Sequence, residues 1–109
     1  MALDIGALLE SMGTAAAQVL QSKWPGVRSF ATSEFQKIAQ TIVSIGEGVA
    51  SGEITKDQAP ILLDMQKNAS RAVLAAVEGM TLIAAEQAIN AALAAVKGPI
   101  NAFVGFALL

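Results

Sequence analysis

The stretch from Ile61 to Lys97 limits the possible folds more than any other part of the chain, because it contains no proline and only one glycine, Gly79. Alanine, the strongest helix former, accounts for 22 of the 109 residues and is concentrated in this stretch. Proline and glycine are the residues that most often end helices. The sequence therefore predicts an all-α fold with a helix over residues 56–97, which either kinks near Gly79 or makes the molecule elongated.

Two further helices are predicted before this stretch, over residues 3–22 and 30–51. Trp24-Pro25-Gly26 lies between them as a stop signal, and Thr32 or Ser33 is the expected N-cap of the second helix. The apolar residues of the second helix follow at spacings of three, four, three and four: Phe35, Ile38, Ile42, Ile45 and Val49. This seam is either a coiled-coil interface or, as we prefer, the face that packs on the third helix in an antiparallel hairpin.

The length and composition fit a single helical domain over residues 1–109. Hydrophobic residues make up 54% of the chain and charged residues 15%, the opposite of a disordered composition. We therefore expect an elongated hairpin or bundle of three main helices with a short apolar element at its C-terminal end.

The two halves of the third helix differ in polarity. In the first half, Asp64, Lys67, Asn68 and Arg71 share one face, and Leu62, Met65, Ala69 and Val73 are turned away from it, as in an ordinary amphipathic helix. Beyond Ala72 the apolar surface surrounds the helix almost completely. A helix of that kind has to be buried on nearly every side.

An interface with other molecules is predicted for this second half and for the uncharged segment that follows Gly98-Pro99. Residues 98–109 form an apolar docking tail, too short to span a bilayer, which takes about 20 helical residues. Helix one alone offers too little cover for so much apolar surface, and exposed apolar patches usually mark interfaces. The expected interface residues are Leu82, Ile83, Ile89, Leu93, Val96, Ile100, Phe103, Phe106 and Leu108. Removal of residues 98–109 is expected to produce smaller species.

The lack of histidine and cysteine excludes several kinds of active site. Without imidazole or thiolate there is no Ser-His triad and no zinc site of the usual ligands. Glu78 and Glu86 would lie about 12 Å apart along a helix, too far for paired-carboxylate catalysis. Ion pairs such as Arg71 with Glu78 are favoured instead. We expect no enzyme activity, no cofactor and no catalytic or metal site.

The partners expected from the sequence are further copies of this chain or the other subunits of a larger assembly, and contact with a membrane stays open. A net charge of −2 gives no electrostatic reason to bind nucleic acid. Asp4 and the absence of a basic residue before Lys23 argue against a secretory signal, and the localisation stays undetermined.

The sequence favours a non-enzymatic structural subunit that self-assembles through the alanine-rich helix and the tail. It would form a homo-oligomer or join a multi-copy complex such as a virion or an injection or secretion apparatus. Two alternatives stay open. One is a membrane-active helical protein that oligomerises into a pore, with Glu78 and Glu86 facing the lumen. The other is a small helical adaptor or inhibitor that binds one protein partner.

Overall fold

A computed structural model describes residues 3–77 and 79–109 and confirms the predicted all-α fold class. Within these residues the chain forms five α-helices and no strand. They are α1 (Ile5–Leu20), α2 (Trp24–Ser51), α3 (Gln58–Ala75), α4 (Leu82–Ala95) and α5 (Lys97–Val104), with a short 3₁₀ helix (Gln21–Lys23) between α1 and α2. The bundle is elongated, with extents of 42 × 23 × 18 Å.

The turn between α1 and α2 lies earlier than predicted. Gln21 adopts a positive φ of 50° there, and α2 begins at Trp24 instead of near residue 30. Pro25 stands in the first turn of α2, where its missing N–H is not needed, so Trp24-Pro25-Gly26 starts a helix rather than ending one. Thr32 is not an N-cap. It lies inside α2, where its hydroxyl donates to the carbonyl of Arg28 at 2.8 Å.

The predicted third helix over residues 56–97 is divided into α3 and α4. The sequence placed an interruption at the right position, near Gly79, but the chain reverses there and does not only kink. Gly79 has a φ of 83° in the left-handed region that favours glycine. Thr81 caps α4, because its hydroxyl oxygen accepts the N–H of Ala84 at 3.0 Å. The chain reverses at this break, and α4 returns antiparallel along α3, with Arg71 and Glu86 3.9 Å apart.

The four longer helices pack around a common core in the order α1, α2, α3, α4, with α4 also contacting α1. The hydroxyl of Thr41 donates to the side-chain carbonyl of Gln66 at 3.4 Å, which links α2 to α3. Four residues of the predicted α2 seam, Phe35, Ile38, Ile42 and Ile45, are at most 1% exposed inside the bundle, and Val49 is half-buried. This seam is therefore a core surface of the chain.

Helix α5 and the residues after it fold back onto the bundle. The Phe103 ring lies against Gly46 of α2. The side-chain carbonyl of Asn101 accepts the backbone N–H groups of Leu108 and Leu109, both at 3.0 Å. Ile100 is fully buried. The apolar tail thus docks on its own chain.

Two glycine substitutions in α2 test how closely the tail sits on the bundle. A Cβ at Gly46 would overlap the Phe103 ring, and overpacking costs about 1–3 kcal/mol. Because alanine also gains about 1 kcal/mol of helix propensity, we expect Gly46→Ala to lower the free energy of unfolding by up to about 2 kcal/mol. Gly26→Ala is the control, with no atom within 4 Å, and should be stabilising. Urea unfolding of both variants measures the difference, and equal stabilisation would contradict the contact.

Candidate functional site

Most of the interface predicted from the sequence lies in the core of this chain. Ile89, Leu93, Val96, Ile100 and Leu108 are at most 8% exposed. Phe103 and Phe106 are half-buried. Only Leu82, at 54%, and Ile83, at 69%, are well exposed. The buried members of this set could join an interface only if the folded chain opened, whereas Leu82 and Ile83 are open to contact in the folded chain.

Helix α1 covers α4 more completely than the sequence suggested. Ala85, Ala88 and Ala92 of α4 are fully buried, as are Met12 and Ala16 of α1. Alanine side chains let two helices approach closely, since the distance between helix axes depends on the side chains at the contact. The expectation that α1 is too short to cover this surface is wrong, because small residues leave little surface to cover.

The apolar face of α3 that lies away from its charged residues in the sequence pattern, through Leu62, Met65 and Val73, is exposed. The residues of α3 that point into the core are instead Ala59, Leu63, Ser70 and Leu74, each at most 2% exposed. Ile61 is 62% exposed, Met65 is 64% exposed, and Leu62 and Val73 are 36% and 40% exposed. The face of α3 opposite the core is thus apolar and open.

The exposed residues of this face form a regular heptad pattern, which we name the α3 seam. It consists of Leu62, Met65, Ala69, Ala72 and Ala76, all exposed, at spacings of three, four, three and four. The seam is about 21 Å long at 1.5 Å per residue. Heptad spacing on a helix is typical of a surface that packs against another helix. A contiguous exposed apolar surface marks a binding site more often than scattered apolar residues do.

The seam and the positions directly beside it carry no charge. On its two sides lie Ile61 and Asn68, and Gln66 and Val73. The charged residues of α3 lie farther round the helix, towards α4, where Lys67 is 3.9 Å from Asp64 and Arg71 is 3.9 Å from Glu86. These solvent-exposed pairs contribute little to stability, about 0–1 kcal/mol each. Glu78, the expected partner of Arg71, lies outside the described residues.

An open groove of about 570 Å³ runs beside the seam, between α2 and α3. Leu62 and Met65 form its α3 wall, and the α2 wall includes Gln40, Ser44 and one charged residue, Lys37. A helix lying along the seam can therefore also contact α2.

Three polar interactions lie near this surface, one between α2 and α3 and two within a single helix. The side-chain amide of Gln66 donates to the fully buried Ser70 at 3.1 Å, continuing the hydrogen bond from Thr41. Glu34, which is 3% exposed and was missed in the sequence, is 2.9 Å from the ammonium of Lys37. In the described ranges, every buried side-chain nitrogen or oxygen has a hydrogen-bond partner. Of the three interactions, the Thr41–Gln66 hydrogen bond joins α2 to α3 beside the seam.

Two further features of residues 3–77 and 79–109 bear on function: their acidic side chains and the length of their apolar helices. In these ranges, no three acidic side chains lie close enough together to hold a metal ion. No helix in the same ranges has both the length and the apolar character needed to cross a membrane.

The sequence contains a signal that could have revealed the α3 seam. Helix α3 carries two apolar sets, one through Leu63 and Leu74 and one through Leu62 and Met65. A helix packed only against its hairpin partner needs one such set. The second set indicates a second surface, although periodicity alone does not say which of the two faces the core.

Comparison with known proteins yields no match to a family model, a curated protein or a solved structure.

Proposed function

We propose that this protein is a non-enzymatic subunit that self-assembles, and that the α3 seam is the surface through which copies join. The observation that carries the proposal is the exposed heptad pattern from Leu62 to Ala76. The sequence favoured self-assembly through the C-terminal half. The burial of that half moves the proposed contact to α3.

The exposed area of the seam supports an interface of modest size. The exposed large side chains of this surface are Ile61, Leu62, Met65 and Val73, all on one helix. A contact through one helix face is small compared with the roughly 800 Å² per partner of a standard interface. Covering this surface removes side chains such as Met65, at 64% exposure, from water. Burial of apolar area stabilises by about 25 cal/mol per Å² before the cost of association. We therefore expect weak association, with a Kd on the order of micromolar or above.

The test is a matched pair of charge substitutions. Met65→Glu places a carboxylate in the α3 seam, and Ile83→Glu places one at an equally exposed position on α4. Because burying an unpaired charge is costly, Met65→Glu should weaken self-association by at least about tenfold, or about 1.4 kcal/mol. Ile83→Glu should leave it unchanged. Sedimentation velocity from micromolar to near-millimolar concentration measures both, with circular dichroism to check folding.

Two outcomes would overturn the proposal. A wild-type chain that stays monomeric over the whole concentration range rules out self-assembly. Association that survives Met65→Glu but is lost in Ile83→Glu places the contact on α4, at a surface which the sequence predicted, and not on α3.

A further inference from the structure

We infer that the occupant of the α3 seam is the α3 seam of a second copy, lying antiparallel to it about a two-fold axis level with Lys67. This inference rests on the proposed self-assembly and adds the partner element, the orientation and the register. In this arrangement Leu62 of one chain lies opposite Ala72 of the other, and Met65 lies opposite Ala69.

The distribution of side-chain size along the seam favours an antiparallel pair. Its large residues, Leu62 and Met65, are at the N-terminal end, and Ala69, Ala72 and Ala76 follow. An antiparallel pair places each large side chain against an alanine. The distance between the two helix axes is then the same along the whole contact, and side chains fill the space between the helices. A parallel pair places large against large at one end and alanine against alanine at the other. The helices would then splay apart and leave a gap beside the alanines.

The heptad positions of the seam residues favour the register with the axis level with Lys67. In antiparallel helix pairs with heptad spacing, the two alternating seam positions, a and d, pack against one another across the contact. Pairing Leu62 with Ala72 and Met65 with Ala69 satisfies this rule at four consecutive levels. A shift by one heptad step in one direction leaves Leu62 beyond the contact and sets alanine against alanine. A shift in the other direction sets Leu62 against Met65 and leaves Ala72 beyond the contact.

The residues of α3 beside the proposed axis are compatible with a two-fold arrangement because they carry no charge. A two-fold axis brings the residues beside it near their own copies, and like charges there would repel. Gln66 and Asn68, the flanking residues nearest the axis on its two sides, are uncharged. Lys37 of α2, which lines the groove beside Gln66, is 2.9 Å from the carboxylate of Glu34 and so carries its own counter-charge. Lys67 is level with the axis but lies on the side of α3 opposite the seam, near Asp64. The uncharged flanks also differ from those of helices that lie on membrane surfaces, which are rich in Lys and Arg.

Single cysteines test the register, because the chain has none of its own. Leu62→Cys and Ala72→Cys proteins, one enlarged by a tag, are mixed and oxidised, and the products are separated on a non-reducing gel. In the antiparallel pair the unlike cysteines face each other. Like cysteines are about 15 Å apart along the helices, beyond disulfide reach. We therefore expect the mixed disulfide to exceed either like-with-like product by at least about tenfold in the same lane.

Two controls set the background. Gln18→Cys, exposed on α1, measures collisional oxidation between chains. Met65→Glu combined with each cysteine should reduce the mixed disulfide to that level. Circular dichroism shows whether each variant is folded.

The outcomes separate this inference from the function on which it rests. Predominant like-with-like disulfides at residues 62 and 72, with association that still depends on Met65, overturn the antiparallel pair but leave self-assembly through α3 standing. If the mixed disulfide forms only to the extent measured with Gln18→Cys while association still depends on Met65, the register is wrong. Self-assembly through α3 again stands in that case. Wild-type sedimentation without any concentration dependence overturns both.

Discussion

Leu63→Ala is expected to lower the free energy of unfolding by about 2–5 kcal/mol, whereas Ile61→Ala on the same turn of α3 should lower it by under about 1 kcal/mol. Leu63 is 2% exposed and Ile61 is 62% exposed. Truncating the buried leucine removes its transfer free energy and leaves a cavity between helices. Truncating the exposed isoleucine removes little that the isolated chain buries. Urea unfolding at low protein concentration, where chains are separate, measures both values.

This pair of variants decides which face of α3 is the core face. Equal losses, or a larger loss for Ile61→Ala, would show that the side of α3 formed by Ile61 and Met65 is buried. The α3 seam would then not be a surface at all. The proposed function and the antiparallel pair would fall with it.

Removal of residues 98–109 is expected to lower the free energy of unfolding by several kcal/mol and to produce larger, not smaller, species. The segment contributes Ile100, Val104 and Leu108, each at most 9% exposed. Burying an aliphatic side chain of this size stabilises by about 1.5–3 kcal/mol. The truncated chain also uncovers Gly46 and its surroundings on α2, which adds an exposed apolar patch prone to association.

Size-exclusion chromatography with light scattering, together with urea unfolding, measures this effect. Ala107→Ser, an exposed change within the same segment, is the control and should behave like the wild-type chain. A truncated protein of unchanged stability and smaller size would contradict the docked tail. It would support the interface that the sequence alone predicted.

The parts of the fold that the sequence predicted well are those with a local cause. The α2 seam from Phe35 to Ile45 has a single apolar face of strict spacing, and that face is buried. The break at Gly79 was one of two stated alternatives, and the positive φ there explains why a glycine marks it. The start of α2 was misplaced because Pro25 is as compatible with the first turn of a helix as with a stop.

The candidate site could not be predicted in the same way, because it depends on which of two faces is covered. Leu62 and Leu63 are neighbours of the same type, yet one is 36% exposed and the other 2%. The pattern around Asp64 and Arg71 suggested that the covered face lies opposite the charges. In the bundle, these charges lie beside α4, next to Glu86, and the face opposite the core is left open.

Composition and periodicity by themselves determined that this chain is helical, where its strongest seam lies and which catalytic groups it lacks, since these properties depend on residue type and on neighbours within a few turns. Only the tertiary structure decided that α1 covers α4, that residues 98–109 dock on α2, and that α3 keeps an open apolar face. Those outcomes depend on how closely alanine-rich helices approach and on where the chain reverses, and both are set by contacts between residues far apart in the sequence.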